Sequence, residues 1–126
     1  MIKLRREAEV GRTFILPYPP SSNHFHTIAR GRKILSSAGR QYFKDVADEN
    51  ASGNRPVITG PVSVAIAAYR PRKTGDLDNL IKPILDSLKY AGIYADDKQV
   101  VAIHAGRYDD KKRPRVEVTI TELESE

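Results

Sequence analysis

Cysteine and tryptophan are both absent from this chain of 126 residues. Without cysteine there is no disulfide framework, no thiolate metal site and no cysteine nucleophile. No apolar run approaches the roughly 18 residues of a membrane span, and residues 1–10 alternate charges where a secretion signal needs an apolar segment. These absences predict a soluble, cytoplasmic protein with no membrane attachment.

Acidic residues are missing from one long stretch. Between Arg12 and Lys44 there are six basic side chains and no aspartate or glutamate. Residues 1–74 carry 13 basic and 5 acidic groups, whereas residues 75–126 carry 8 and 11. A basic half followed by an acidic segment is expected of a metal-dependent enzyme that acts on a polyanion, although a solubilising surface gives the same totals.

The length predicts a single domain, residues 1–126, in which residues 1–10 form a short N-terminal extension. Residues rich in β-branched side chains predict four strands, at 12–16, 62–69, 100–105 and 115–121. Apolar stripes at helical spacing predict two helices, one from Ser36 or Ser37 to about Asn50, ended by Gly53-Asn54, and one from Leu77 to a stop at Gly92. The order β-α-β-α-β-β predicts an α+β fold with two layers, a mixed four-stranded sheet and two helices.

The connections are predicted from their turn residues. Residues 21–34 show neither helical nor strand periodicity and are expected to form a polar loop. The turn at 108–114 is expected to join the last two strands as a hairpin. Pro83 lies inside the second helix and predicts a kink or a frayed first turn.

Most of the candidate catalytic residues lie at the start of the second helix. Asp76 and Asp78 lie where a loop enters the helix, Lys82 follows one turn later, and Asp96-Asp97 precede the next strand. Aspartates one residue apart, with a third from elsewhere, suit Mg²⁺, which keeps water positions for phosphate. A cation held there would generate a nucleophile and offset charge developing on phosphorus.

Structural roles are alternatives for each of these residues taken singly. Asp76 is well placed to cap the helix, and Asp78 to complement its dipole. Lys82 can be a simple ion-pair partner four residues after Asp78, and Asp96-Asp97 can be ordinary turn residues. His24 and His26, two residues apart with no cysteine partner, are expected to contact substrate or solvent rather than a metal.

Three segments together resemble a known family. They are LPYPPSSN at 16–23, DLDNLIK at 76–82 and AGIYADDKQV at 91–100. With this run, the sequence is similar to the RusA-type Holliday junction resolvases, endonucleases of phage and prophage origin, over almost the whole chain.

The resemblance implies a homodimer that binds four-way junction DNA and makes paired, Mg²⁺-dependent cuts in recombination and repair. By position, the family's metal-binding acids correspond to Asp76, Asp78 and Asp97, and its active-site lysine to Lys82. The family's basic run before the first acid is interrupted here by Thr74-Gly75, so Arg72 and Lys73 are candidate DNA contacts. We also expect Arg30, Arg32 and Lys33 to grip the DNA backbone, with Phe25 as a wedge at the crossover.

Chain geometry predicts how the metal site is assembled. A helix from Asp78 to Ala91 rises about 20 Å, and the extended segment to Asp97 returns at most about 18 Å. We therefore expect Asp97 to lie far from Asp78 of its own subunit and the site to be shared across a two-fold axis. A kink at Pro83 that shortens the helix would instead let the loop fold back and place the site within one subunit. A non-cleaving junction-binding protein of the same fold is the alternative function, and a metal-dependent enzyme acting on small nucleotide-like molecules is a third.

Overall fold

The computed structural model describes residues 2–3, 11–50, 55–73 and 75–125. Most of the predicted extension 1–10 and the predicted helix stop at Gly53-Asn54 lie outside the described residues. The elements in chain order are β1 (Ile2–Lys3), β2 (Arg12–Leu16), α1 (Ser22–Phe25), β3 (His26–Ala29), β4 (Arg32–Leu35), α2 (Ser37–Glu49), β5 (Val62–Arg70), α3 (Asp78–Tyr90), a 3-10 helix (Asp97–Gln99), β6 (Val100–Asp109), β7 (Arg115–Glu122) and β8 (Glu124–Ser125).

The central sheet has four strands in the order β2-β7-β5-β6. β7 pairs antiparallel with both β2 and β5, whereas β6 runs parallel to β5. Every second side chain of β5 is buried, from Val62 to Ala68, and so are Val116, Val118 and Ile120 of β7. This face packs against Tyr42 and Val46 of α2 and Ile84 and Leu88 of α3, all in one hydrophobic core. The predicted α+β fold, with two layers and a mixed four-stranded sheet, is confirmed.

The predicted hairpin between the last two strands is wrong. β5 lies between β6 and β7, so these two strands are not neighbours in the sheet. α3 supplies the long crossover that a parallel β5–β6 pair requires, and β6 thereby becomes an edge strand. The segment 110–114 then passes over the end of β5, where the Asp110 N–H donates to the Arg70 carbonyl at 2.9 Å.

The predicted polar loop at 21–34 is also wrong. It contains the short helix α1 and an antiparallel hairpin of β3 and β4, in which His26 pairs with Leu35 and Ala29 with Arg32. The turn consists of Arg30 and Gly31, whose φ angles are 53° and 74°. Two consecutive residues with positive φ define the type I′ turn, whose twist matches that of a two-stranded hairpin. We call residues 26–35 the basic hairpin.

Phe25 belongs to the core and is not a projecting wedge. Its side chain is 2% exposed and its ring lies against those of Tyr42 and Phe43, with centroids 6.1 and 5.7 Å away. Truncating a buried phenylalanine costs about 3–5 kcal/mol of folding free energy. Phe25 therefore has a structural role in the core. The expectation that Phe25 enters DNA is therefore wrong.

Both predicted helices are present. Ser36 caps α2, and its Oγ accepts from the Gly39 N–H at 3.0 Å. α3 continues through Pro83 without a break. Its first turn is tight, because the Asn79 and Leu80 N–H groups donate three residues back, to Asp76 and Leu77. None of the described helices is long and apolar enough to cross a membrane.

A glycine in α2 provides a test of this packing. Replacing Gly39 by alanine would place a Cβ 2.5 Å from the Phe25 carbonyl oxygen, although alanine is the better helix former. We expect Gly39→Ala to lower the free energy of unfolding by about 1–3 kcal/mol, because backbone must move to accommodate the methyl group. Urea denaturation measures this. Gly60→Ala, which meets no atom within 4 Å, is the control, and a Gly39→Ala protein at least as stable as the wild type would contradict the packing described.

Candidate active site and nucleic-acid interface

The loop that enters α3 positions the first two aspartates. Gly75, with φ of 84°, turns the chain, and its carbonyl accepts from the Arg107 guanidinium of β6 at 3.2 Å. Asp76 and Asp78 follow on the surface and are exposed. Leu77 already has helical φ and ψ and makes no side-chain capping bond. The Asp76 carbonyl accepts from the Asn79 N–H at 3.2 Å, which places Asp76 at the cap position by its backbone. Asp78 lies in the first turn, where the dipole favours a negative charge.

The end of the sheet beside this loop is fixed by ion pairing. Arg70 Nε lies 2.6 Å from Asp109 Oδ1, joining the last residues of β5 and β6. The hydrogen bond from Arg70 is the main reason that the pKa of Asp109 is lowered. The two strands therefore end together at a defined position, from which residues 71–77 lead to the helix.

Two adjoining cavities lie along the exposed side of α3. One, of about 360 Å³, lies between the helix and the basic hairpin. The other, of about 370 Å³, extends towards the 3-10 helix. Asp78, Lys82 and Asp86 line both cavities. We call this continuous surface the α3 cleft.

Lys82 lies in the middle of the α3 cleft. Its Nζ donates to both carboxylate oxygens of Asp86 at 3.1 Å, and its side chain is 78% exposed. The predicted alternative partner, Asp78, is not the residue that Lys82 contacts. An exposed pair of this kind contributes only about 0.3–0.5 kcal/mol to stability, so the ammonium can exchange Asp86 for an incoming phosphate at little cost.

Asp96 and Asp97 have different environments. Asp96 caps the 3-10 helix: its Oδ1 accepts from the Lys98 N–H at 2.9 Å, and Gln99 completes the capping box. The Gln99 side chain also donates to the Ile58 and Gly60 carbonyls at 2.8 Å, which anchors the loop to the segment before β5. Asp96 is thus a structural residue, and Asp97 presents its carboxylate to the cleft.

The chain returns to the cleft quickly after α3. Gly92 has φ of 78°, the Ile93 N–H donates to the Leu88 carbonyl at 3.1 Å, and Tyr94 Oη donates to the Leu85 carbonyl at 2.7 Å. Burial, followed by the nearby carboxylates of Asp97 and Asp86, raises the pKa of the Tyr94 hydroxyl and keeps it protonated. The Tyr94 anchor places the loop against the side of the helix.

The expected wide separation of Asp78 and Asp97 therefore needs correction. Both line the same cavity of one chain. Their neighbours differ: Asp78 is in the first turn of α3, whereas Asp97 Oδ2 is 3.7 Å from Lys89 in the last turn. Within the described residues, which include Asp76, Asp78 and Asp97, no three acidic or histidine side chains are grouped closely enough to hold a metal ion.

Of the basic residues predicted to bind DNA, one lines the α3 cleft and the others are exposed at the hairpin tip and in the loop after β5. Lys33 of the basic hairpin lines the cavity that contains Asp78 and Lys82. Arg30 and Arg32 are exposed at the tip of the hairpin. The other two candidates, Arg72 and Lys73, are exposed in the loop after β5, and the Thr74 that follows lies outside the described residues.

Two polar residues at this site were not recognised from the sequence: Asn79 lines the cleft, and Arg107 holds the loop before Asp76. His26, which was expected to contact substrate or solvent, also lines the cleft. Asn79 lies inside the DLDNLIK segment, so its position was a usable signal. Arg107 is distant in sequence and reaches Gly75 only because β6 pairs with β5, with Arg107 opposite Ala68.

The α3 cleft therefore combines carboxylates at the start of a helix, a lysine one turn later and a basic hairpin on the facing wall, which are groups suited to binding a metal ion and a nucleic-acid phosphate. Residues 17–121 match the family model described as Endodeoxyribonuclease RusA. The chain belongs to this family, as the resemblance predicted.

Individual relatives cover nearly the whole chain. The crossover junction endodeoxyribonuclease RusA of Escherichia coli strain K12 is 37% identical over 113 residues, which span 88% of this chain and 94% of the relative. The protein of the same name from Enterobacteria phage 82 is 37% identical over the same spans. A third relative of that name, from Shigella sonnei, is 36% identical over 113 residues.

Proposed function

We propose that the protein is a Mg²⁺-dependent, structure-specific endodeoxyribonuclease that resolves four-way DNA junctions by paired phosphodiester cleavage, in recombination and repair. The observation that carries this proposal is the α3 cleft, where Asp78 and Lys82 face Lys33 of the basic hairpin. Family membership and the names of the relatives support the reaction and the substrate. Because its substrate would be bacterial or phage DNA, we propose that the protein acts in the cytoplasm.

The candidate metal ligands have the right chemistry for Mg²⁺. Asp76, Asp78 and Asp97 offer only hard carboxylate oxygens, all exposed, and the chain has no cysteine to favour a softer metal. Mg²⁺ held by these residues would supply Lewis-acid stabilisation of the charge on the scissile phosphate. In one chain, however, Asp97 is in contact with Lys89 in the last turn of α3, whereas Asp78 is in the first turn.

A homodimer resolves this difficulty. We propose that Asp76 and Asp78 of one subunit meet Asp97 of the partner subunit, so that a complete set of ligands forms only at a two-fold interface. Two equivalent sites would then cut two strands symmetrically.

Basic side chains of the protein bind the phosphates and stabilise the charge that develops during cleavage. Lys33 and Arg32 hold phosphates of the bound strand, and the scissile phosphate enters the cleft beside Lys82. Lys82 leaves Asp86 and donates to a phosphate oxygen, where it offsets the negative charge that grows as a water oxygen bonds to phosphorus and the bond to the leaving oxygen breaks; the water gives up a proton and the leaving oxygen takes one. Asp86 keeps the ammonium oriented between turnovers.

One assay distinguishes the alternative functions. A labelled four-way junction and a linear duplex of the same sequence are incubated with the protein, in Mg²⁺ and in EDTA. We expect paired cuts in the junction only, and only with Mg²⁺. Binding without cutting would favour the non-cleaving junction-binding protein, and neither binding nor cutting would favour the enzyme acting on small molecules.

The basic hairpin is expected to dominate the salt dependence of binding. Each phosphate contact contributes about 0.9 to the slope of log K against log salt concentration. Replacing Arg30, Arg32 and Lys33 together by alanine should therefore flatten the slope by about 2 to 3. Fluorescence anisotropy with a labelled junction measures this slope between low and moderate salt.

Two single lysine-to-alanine variants, one inside and one outside the proposed interface, provide a matched comparison for the salt-dependence test. Lys33→Ala should reduce the slope by about one, whereas Lys44→Ala, an exposed lysine on α2 that does not line the α3 cleft, should leave it unchanged. Equal slopes for the triple variant and the wild type would remove the hairpin from the DNA interface.

A further inference from the structure

The basic hairpin carries the most exposed large hydrophobic side chain among the described residues. Ile28 is 69% exposed, more than Tyr90 at 63% or Tyr108 at 53%. It lies two residues before the cationic tip formed by Arg30, Gly31 and Arg32. An apolar side chain held out of the core and surrounded by positive charge suits a ligand that is anionic outside and apolar inside. Stacked bases between phosphates have this chemistry.

Strand alternation determines which side chains share a face with Ile28. The register pairs Ile28 with Lys33 and His26 with Leu35, so these side chains share one face of the hairpin. His26 and Lys33 line the α3 cleft, which shows that this face looks towards Asp78 and Lys82. Ile34 is paired with Thr27 and lies on the opposite face, where it is 40% exposed.

The turn places an arginine in an uncommon backbone conformation. Arg30 has φ of 53°, a left-handed conformation that favours glycine or asparagine in a type I′ turn. An arginine there strains the backbone, at a cost of order 1 kcal/mol. Such strain persists where a side chain serves binding. Its place beside Ile28 indicates that the whole tip contacts one ligand.

We propose that Ile28 inserts between unstacked bases at the branch point of the junction, while its cross-strand neighbour Lys33 holds the adjacent phosphate. This inference rests on the proposed function and names a residue that selects the branched substrate. Apolar wedges from proteins enter base steps that are already easy to open, and a branch point offers such a step. A continuous duplex does not.

The dimensions of the hairpin suit this role. Two residues along a strand span about 7 Å, which places Ile28 that far beyond His26 at the cleft wall. The same distance is about two base steps at 3.4 Å each. A base pair opened by Ile28 would therefore be within two steps of the phosphate in the cleft. Opening it gives the scissile strand freedom to enter the cleft.

The test uses a four-way junction with 2-aminopurine at the branch point, whose fluorescence rises when the base unstacks. Full-length protein is added in EDTA, so that no strand is cut. We expect wild-type protein to raise the fluorescence, and Ile28→Ala to remove most of the rise. With Mg²⁺, Ile28→Ala should lower the cleavage rate about tenfold or more, with binding changed less than about threefold. Ile34→Ala, the same substitution on the opposite face, should behave as the wild type in both measurements.

Both substitutions are at exposed positions, and circular dichroism confirms that each variant is folded. If Ile28→Ala and Ile34→Ala unstack the branch point equally well, the role of Ile28 is overturned and the proposed function stands. If wild-type protein binds the junction but does not cut it in Mg²⁺, the nuclease proposal fails, and the fluorescence still decides the role of Ile28. Wild-type protein that does not bind the junction overturns both.

Discussion

Replacing Lys82 by alanine is expected to lower the rate of junction cleavage by about a hundredfold to a thousandfold, with little change in junction affinity. Lys82 lies in the cleft with Asp78. Its ammonium is paired with Asp86, and an exposed ion pair of this kind is weak. A cation placed where charge develops acts mainly on the transition state. Its removal should therefore reduce kcat and leave the dissociation constant nearly unchanged.

Two further substitutions make this result specific. Asp86→Asn keeps the ammonium and removes its partner at 3.1 Å, so it should cost much less than Lys82→Ala. Lys82→Arg keeps the charge but changes its reach and should restore part of the rate. Single-turnover cleavage with excess protein gives the rate, and binding in EDTA gives the affinity. Equal losses of rate and affinity in Lys82→Ala would instead show a simple phosphate contact made equally before and during the reaction.

The sequence predicted the local structure around this site well. The apolar stripe of α3 and the capping serine of α2 are local signals. They depend on contacts between residues three or four apart, which are little affected by the rest of the fold. The segments DLDNLIK and AGIYADDKQV marked Asp78, Lys82 and Asp97, and all three line the α3 cleft. Asp96, to which the sequence assigned no role, caps the 3-10 helix.

The errors arose where partners are distant in sequence. β7 alternates Val116, Val118 and Ile120 with polar residues whether its neighbour is β5 or β6, so the pattern could not exclude a hairpin with β6. Phe25 lies in a polar stretch, and its burial depends on Tyr42 and Phe43 of α2. The hairpin of β3 and β4 was missed because its turn uses Arg30 where glycine or asparagine is the usual signal.

The position of Asp97 shows how an argument from chain length can be partly right. The segment 92–97 folds back along the side of α3, where the Tyr94 hydroxyl donates to the Leu85 carbonyl. Asp97 therefore enters the same cleft as Asp78. It still does not join Asp76 and Asp78 in a three-ligand group within one chain. The proposed site, completed by a second subunit, would use all three acids.

Mixing two inactive variants is expected to recover strand cutting if the site is shared. Asp78→Asn and Asp97→Asn should each abolish cleavage alone. In a heterodimer, one site would carry both lesions and the other would be intact. Co-expression with two different tags gives the heterodimer, which tandem affinity purification isolates.

The form of the recovered activity is the most specific part of this prediction. A heterodimer with one intact site should nick one strand at about half the wild-type rate per dimer, since one of two equivalent sites remains. It should not make the paired cuts that separate the junction arms. Denaturing gels detect nicked strands, and native gels detect separated duplexes. If the purified heterodimer nicks no faster than either parent variant, each site takes its acids from a single subunit, and Asp97 must then move along the α3 cleft, away from Lys89, to join Asp78.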